Sequence, residues 1–307
     1  MAEMYPWLLP VFQQLQGQVS RGQLAHAILL SGPAGIGKMA LADALAALLL
    51  CKNQQIDGAC GTCKSCLLRQ AGNHADLLML HSDTNNIGVD AVRQLTRFSQ
   101  GASQQHGSKV MIIPAADSMT EAAANALLKT LEEPPAGCYL VLVSQNPLQL
   151  SATIRSRCQQ WQLSAGSAAQ LHDWLSGQTD TPLPPFLLDY CQGAPLKAQA
   201  LLQSNKLEAV NASLTLLADY VSGKAELSRV VKALDGDDEL AGILGFFIKQ
   251  RLSSPLEFIR QQALLTAYQR WCRDAALIIG QNSALALSSL LTELQSLLQH
   301  QEAKWKS

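Results

Sequence analysis

Hydrophobic positions fall into two regimes along the chain. Over roughly the first half, short apolar runs alternate with segments whose apolar residues recur at helical spacing. The runs Ala27–Ser31, Leu77–Leu80, Val110–Ile113, Tyr139–Val143 and Cys158–Leu163 are short and predict buried strands. Between them, Leu41, Ala44, Leu45 and Leu48 share one helical face, Val89–Phe98 predicts a second helix, and Ala124, Leu127, Leu128 and Leu131 stripe a third. Ser118-Met-Thr-Glu121 is expected to form the capping box of that third helix, and Pro134-Pro135 its stop. Strands alternating with helices predict an α/β fold, a parallel sheet covered on both faces.

After about Gly166 the strand signals stop. Residues 167–204 read as a small helical unit interrupted by Pro182, Pro184 and Pro185, and from Leu207 onward the pattern is helical, so the second half is expected to be all-α. The last helix places Leu287, Leu290, Leu291, Leu294 and Leu298 on one stripe, which suits packing against sister helices or, alternatively, another subunit. Three domains are expected, over residues 1–165, 166–206 and 207–307.

Composition narrows the classes. A chain of 307 residues can bury two or three cores, and a formal net charge of -1 gives no broad basic footprint for gripping nucleic acid alone. Met1–Trp7 has no basic run followed by an apolar stretch, and Ala40–Leu50 carries Asp43 and is too short for a bilayer. A cytoplasmic protein is expected, whose eight cysteines are reduced thiols or metal ligands.

Gly32-Pro-Ala-Gly-Ile-Gly-Lys38 sits between a predicted strand and a predicted helix, the context of a phosphate-binding loop. Gly32, Gly35 and Gly37 let backbone N–H groups turn onto phosphate oxygens, and Lys38 reaches the outer phosphates. The next residue should carry a hydroxyl for Mg²⁺ but is Met39, a poor donor to a hard cation. After the strand Val110–Ile113, where an acidic pair should hold the metal and polarise water, stand Pro114 and Ala115. Asp117 lies past that position and reads as part of the cap region before the next helix. Hydrolysis is not expected here, whereas the loop with Lys38 leaves binding of ATP or ADP open.

Cys60-Gly-Thr-Cys63-Lys-Ser-Cys66 contains two successive C-x-x-C steps, with Cys51 upstream. Four thiolates in such spacing suit a closed, structural Zn²⁺ site, and Asn53, Asp57, Gly58 and Gly61 suit a loop around it. A redox dithiol would need only one such step. His74 is a rival ligand, read instead as an exposed loop residue, while Cys138, Cys158, Cys191 and Cys272 read as small buried apolar residues.

Two further segments carry a resemblance. Ala124-Asn-Ala-Leu-Leu-Lys-Thr-Leu-Glu-Glu-Pro-Pro135 and Thr153-Ile-Arg-Ser-Arg-Cys158, in order after the phosphate loop and the four cysteines, resemble the AAA+ clamp loader family of bacterial DNA polymerase III. The resemblance covers residues 25–163. It implies an AAA+ domain with a zinc insertion, a helical lid and a helical collar. It also implies a hetero-oligomer with gamma/tau motor subunits and a delta subunit, which opens a sliding clamp and places it on primed DNA during replication. The chain would thus be a component of a DNA-directed DNA polymerase holoenzyme.

In that family the arginine of Ser-Arg-Cys enters a neighbour's ATP site, and Arg157 matches it. A guanidinium delivered in trans stabilises charge on the transferring phosphoryl group. Outside that context Arg157 would be an ordinary surface or ion-pairing arginine. The losses at Met39, Pro114 and Ala115 imply a non-hydrolysing subunit rather than an active gamma/tau-type ATPase, the alternative. In Gly193-Ala-Pro-Leu-Lys-Ala198 no lid sensor arginine is found, and Lys197 is a doubtful substitute. A zinc module reading nucleic acid directly is a third reading. Lys52, Lys64 and Arg69 are too few for such a surface.

Overall fold

In chain order, α1 (Leu9–Ser20) precedes β1 (Ala27–Ser31) and α2 (Lys38–Leu50), and α3 (Lys64–Gln70) leads to β2 (Leu77–Met79). Next come α4 (Val89–Gln100), β3 (Lys109–Ile113), α5 (Glu121–Glu132), β4 (Cys138–Ser144), the short α6 (Ala152–Arg155), β5 (Gln159–Gln162) and α7 (Ala168–Ser176). The computed structural model describes residues 4–80, 86–105, 107–179, 181–204, 206–253, 258–278 and 280–299. Two units separate by internal contacts, one running to Leu183 together with Gly193–Lys197, the other comprising Pro184–Gln192 and the chain from Ala198.

The sheet of the first unit has the order β2-β3-β4-β1-β5, with all four pairings parallel. β1 and β3 are buried at every position, because strands flank both edges and side chains of both parities meet helices. Ala27, Leu29, Met111, Ile113, Leu140 and Leu142 share a core with Val92 and Leu95 of α4 and Leu127 and Leu131 of α5. Ile28, Leu30, Val110 and Ile112 have the opposite parity and are equally buried, and α2 packs on β1, β3 and β4.

The expected capping box at Ser118 is corrected. Ala116–Ser118 forms a 3₁₀ turn, Ser118 Oγ donates to the carbonyl of Ala115, and the N-cap of α5 is Thr120, whose hydroxyl accepts from the N–H of Ala123. The cause is a long-range pairing. Ile87 bridges Met119, with Ile87 N–H on the Ser118 carbonyl and Thr120 N–H on the Ile87 carbonyl, so the chain stays extended until Thr120.

The second unit is helical. It contains α8 (Leu187–Tyr190), most of α9 (Pro195–Gln203), α10 (Lys206–Val221), α11 (Leu227–Leu234), α12 (Leu240–Leu252), α13 (Phe258–Leu277) and α14 (Ser283–Gln299). The stripe Leu287, Leu290, Leu291, Leu294 and Leu298 is buried, and α14 packs on α10, α11 and α13. Cys138, Cys158 and Cys191 are buried as expected, but Cys272 is only half-buried. It lies off the face of α13 that buries Leu264 and Ala267. Among the described residues no helix is long and apolar enough to cross a membrane.

Just before β2, the buried Asp76 carboxylate accepts from Ser103 Oγ at 2.9 Å and from the N–H groups of Gln104 and Gln105, each at 2.8 Å. Burial pushes its pKa up, but these donors and nearby His74 outweigh burial and hold it below the ordinary 3.8. A depressed folded pKa contributes stability above the unfolded value, lost as pH falls through the folded one. Asp76→Asn is therefore expected to lower unfolding free energy by about 1–3 kcal/mol at neutral pH. It should also flatten the stability decline between about pH 5 and pH 2. Urea melts across that range would show it, and an unchanged acid slope would contradict it.

Candidate functional site

The glycine loop leaves β1 through the tightest backbone approach in this region. A Cβ on Gly32 would stand 2.3 Å from the carbonyl oxygen of Leu163, so only glycine passes there. Gly37, at φ 90°, caps α2, and a Cβ on it would meet the Tyr5 ring at 2.5 Å. Lys38 opens α2, buried, with Nζ donating to the carbonyls of Gly32 at 2.7 Å and Pro33 at 2.6 Å. Burial lowers its pKa, and the charge of Asp117 partly restores it.

Other donors hold the rest of the loop. Trp7 Nε1 donates to the carbonyl of Ile36 at 2.8 Å, and the N–H of Leu196 donates to the carbonyl of Gly35 at 3.0 Å. Trp7 stacks on Tyr5 at 5.2 Å between ring centroids and meets Trp174 edge-on at 5.1 Å. Neither tryptophan stood out in the sequence. The available signal was an aromatic pair in a chain with only 5% aromatics, and it does not say what such a pair touches. Met39 is half-buried on the first turn of α2, and Lys197 is half-buried near Gly35.

Pro114 and Ala115 follow β3, as the sequence requires. Asp117 lies in the 3₁₀ turn just before α5, within the expected region. Its carboxylate accepts from the N–H groups of Gln145 at 3.2 Å and Asn146 at 3.0 Å, tying the 3₁₀ turn to the end of β4.

The four cysteines converge. The sulfurs of Cys51, Cys60, Cys63 and Cys66 all lie within 4.8 Å of one another, and Cys60 Sγ to Cys66 Sγ is 4.0 Å. Tetrahedral Zn–S bonds of about 2.3 Å require S···S edges of about 3.8 Å, so the cluster fits a metal ion with a small contraction. Cys51 caps the C-terminus of α2, Cys63 caps the N-terminus of α3, and Cys66 lies on its first turn. Backbone donors from Thr62 and Cys63 pull the Cys60 thiol down to about 6, supplying a thiolate at neutral pH. Burial pushes Cys66 up to about 12 and also raises Cys51.

Around the cluster, Gln16 Nε2 donates to the carbonyls of Gln55 at 3.0 Å and Ile56 at 2.8 Å, and Arg69 pairs with Asp43 at 2.7 Å. His74 is neither a fifth candidate ligand nor exposed. It is buried, with Nδ1 accepting from the N–H of Asp76 at 3.1 Å, so Nε2 carries the proton and donates to Ser65 Oγ at 2.6 Å. Ser65 in turn donates to the carbonyl of Leu50 at 2.6 Å, linking α3 to the end of α2. The contact of His74 with Ser65 joins the segment before β2 to α3, and local spacing does not record that contact.

The Ser-Arg-Cys turn is built by its own residues. Ser151 caps α6, and Cys158 is buried in the core with Ile154. Ser156 Oγ and Arg157 Nη1 both donate to the carbonyl of Thr153 at 3.0 Å. The Arg157 side chain remains 35% exposed, with Nη2 2.7 Å from Glu132 Oε1. Burial pushes the Cys158 thiol up to about 12, so it is an inert anchor.

A family model described as DNA polymerase III, delta subunit, matches residues 9–166. The chain is 40% identical over 243 residues to DNA polymerase III subunit delta' of Yersinia pestis, covering 76% of this chain and 71% of the relative. It is 45% identical over 206 residues to the protein of the same name from Pseudomonas aeruginosa, covering 66% of this chain and 62% of that one. A solved gamma subunit-related protein from Thermotoga maritima shares the fold, with a TM-score of 0.56 at 17% identity, covering 94% of this chain and 98% of that one.

Trp7→Phe keeps an aromatic ring but strands the Ile36 carbonyl. It is expected to lower unfolding free energy by about 1–3 kcal/mol. Chemical denaturation measures this, and a loss near zero would mean that the bond does not hold the loop.

Proposed function

The chain belongs to the delta' family of DNA polymerase III subunits, and from that premise we propose that it is a non-hydrolysing clamp loader subunit donating Arg157 to a neighbour's ATP site. The observation that carries this reading is the contrast between two cations. Lys38 is buried on the carbonyls of its own loop, whereas Arg157 is part-exposed on a turn fixed by Cys158 and Thr153.

Its own site lacks the groups for hydrolysis. Met39 offers no hydroxyl, Pro114 and Ala115 replace the acidic pair, and the Asp117 carboxylate serves Gln145 and Asn146. Gly32, Gly35, Gly37 and Lys38 keep the residue pattern of a phosphate loop, and any ATP or ADP bound through Lys38 would have to draw it off two carbonyls. The proposed partners are gamma/tau motor subunits and a delta subunit, with the sliding clamp and primed DNA met through the assembly. On this proposal the chain has three parts, 1–165, 166–206 and 207–307, the last serving as the collar.

Cys51, Cys60, Cys63 and Cys66 would hold a structural Zn²⁺. The ion would supply a cross-link between α2 and α3 and, with four protein ligands, no open position for substrate. One zinc per purified chain is expected, and Cys60→Ser should lower both metal content and Tm. A chain free of metal and indifferent to chelation would refute the site.

ATP turnover tests the main reading. The purified chain with Mg²⁺ should show none above a Lys38→Ala control. In the reconstituted loader, Arg157→Ala should slow cleavage at the one site it serves by about 1000-fold, with assembly intact. Turnover by the chain alone that Lys38→Ala abolishes would make it a motor. Unchanged cleavage in the Arg157→Ala loader would remove the finger.

A further inference from the structure

Glu132 is the last residue of α5, and Glu133-Pro134-Pro135 ends the helix behind it. A carboxylate is the wrong sign for a helix C-terminus, where the carbonyl ends already carry partial negative charge. The helix gains nothing from an acid there. The guanidinium of Arg157 does, with Nη2 2.7 Å from Glu132 Oε1 while Nη1 bonds the Thr153 carbonyl at 3.0 Å.

These two acceptors come from different elements and grip the two terminal nitrogens separately. Together they fix the plane of the guanidinium and the direction in which it leaves the surface. Nη1 also reaches Ser156 Oγ at 3.5 Å, so Nε and the second N–H of Nη2 are left for an incoming anion. The pair is also weak enough to yield. Its side chains are 35% and 49% exposed, and an ion pair so exposed contributes little to fold stability.

We propose that Glu132 is a positioning residue for Arg157, presetting the guanidinium for the phosphoryl group of a neighbouring subunit's ATP. This rests on the reading that Arg157 is delivered in trans. Glu132 touches no substrate itself. Its contribution is to reduce the rotamer freedom that a long, unrestrained arginine would lose on meeting the phosphate.

The test is a double-mutant cycle in the reconstituted loader with clamp and primed DNA, reading single-turnover ATP cleavage at the site that Arg157 serves. Glu132→Ala should slow cleavage about fivefold without changing the ATP concentration for half-maximal rate. Combined with Arg157→Ala it should add nothing further, because Glu132 acts only through that arginine. Glu132→Gln, which keeps an acceptor oxygen, should recover part of the rate, and the Tm of every chain should stay near that of the native one.

Failure can be assigned. If Arg157→Ala slows cleavage but Glu132→Ala does not, or if the two losses multiply, the positioning role is wrong and the finger survives. A rate that falls only in step with Tm or assembly likewise makes Glu132 structural. If Arg157→Ala has no effect, the finger reading falls and the positioning role with it.

Discussion

The exit of the chain from β1 constrains everything around it. β1 is buried at all five positions, so the residues after Ser31 must turn through a space already bounded by the Leu163 backbone. Glycine at position 32 meets that geometry, and the turn leaves a row of loop carbonyls that need donors. Gly32 and Pro33 receive Lys38, Gly35 receives the N–H of Leu196, and Ile36 receives Trp7. The loop is held by its own Lys38 and, from distant parts of the chain, by Trp7 and Leu196, and the Tyr5–Trp7–Trp174 cluster packs beside it.

The same helix carries this order to the cysteine cluster. α2 begins at Lys38 and ends one residue before Cys51, so the loop and one metal-ligand candidate sit at opposite ends of a rigid rod. Ser65, bonded to Leu50 and His74, and Arg69, paired with Asp43, fasten α3 to that rod. A metal held by the four cysteines would add a cross-link alongside these bonds.

Much of this was legible in the sequence where structure follows local period. The five strands lie within a residue of their predicted bounds, and the leucine stripe of α14 is buried as drawn. The four-cysteine convergence follows from spacing, since a C-x-x-C turn brings two sulfurs together regardless of surroundings. Features set by distant contacts were not legible. Thr120 rather than Ser118 caps α5 because Ile87 holds Met119 extended, and nothing near Ser118 encodes that. His74 looked like a loop residue because its cover arrives from α3 and from the chain before β2. The bonds of Trp7 and Glu132 span 29 and 25 residues, beyond any periodicity argument.

On the proposed reading, the contrast between Lys38 and Arg157 has a physical basis in what a shared ATP site would demand. A cation serving its own loop can be buried, because its acceptors are fixed neighbours and its desolvation is met by two short hydrogen bonds. A cation serving another molecule must remain near water until the partner arrives, held by bonds that an arriving phosphate can outcompete. Arg157 meets that requirement: one neutral carbonyl, the Ser156 hydroxyl, one half-exposed carboxylate, and a backbone turn anchored by Cys158. On the proposed reading, losing Mg²⁺ ligands from the chain's own loop leaves the finger intact, because no bond that orients Arg157 comes from the loop.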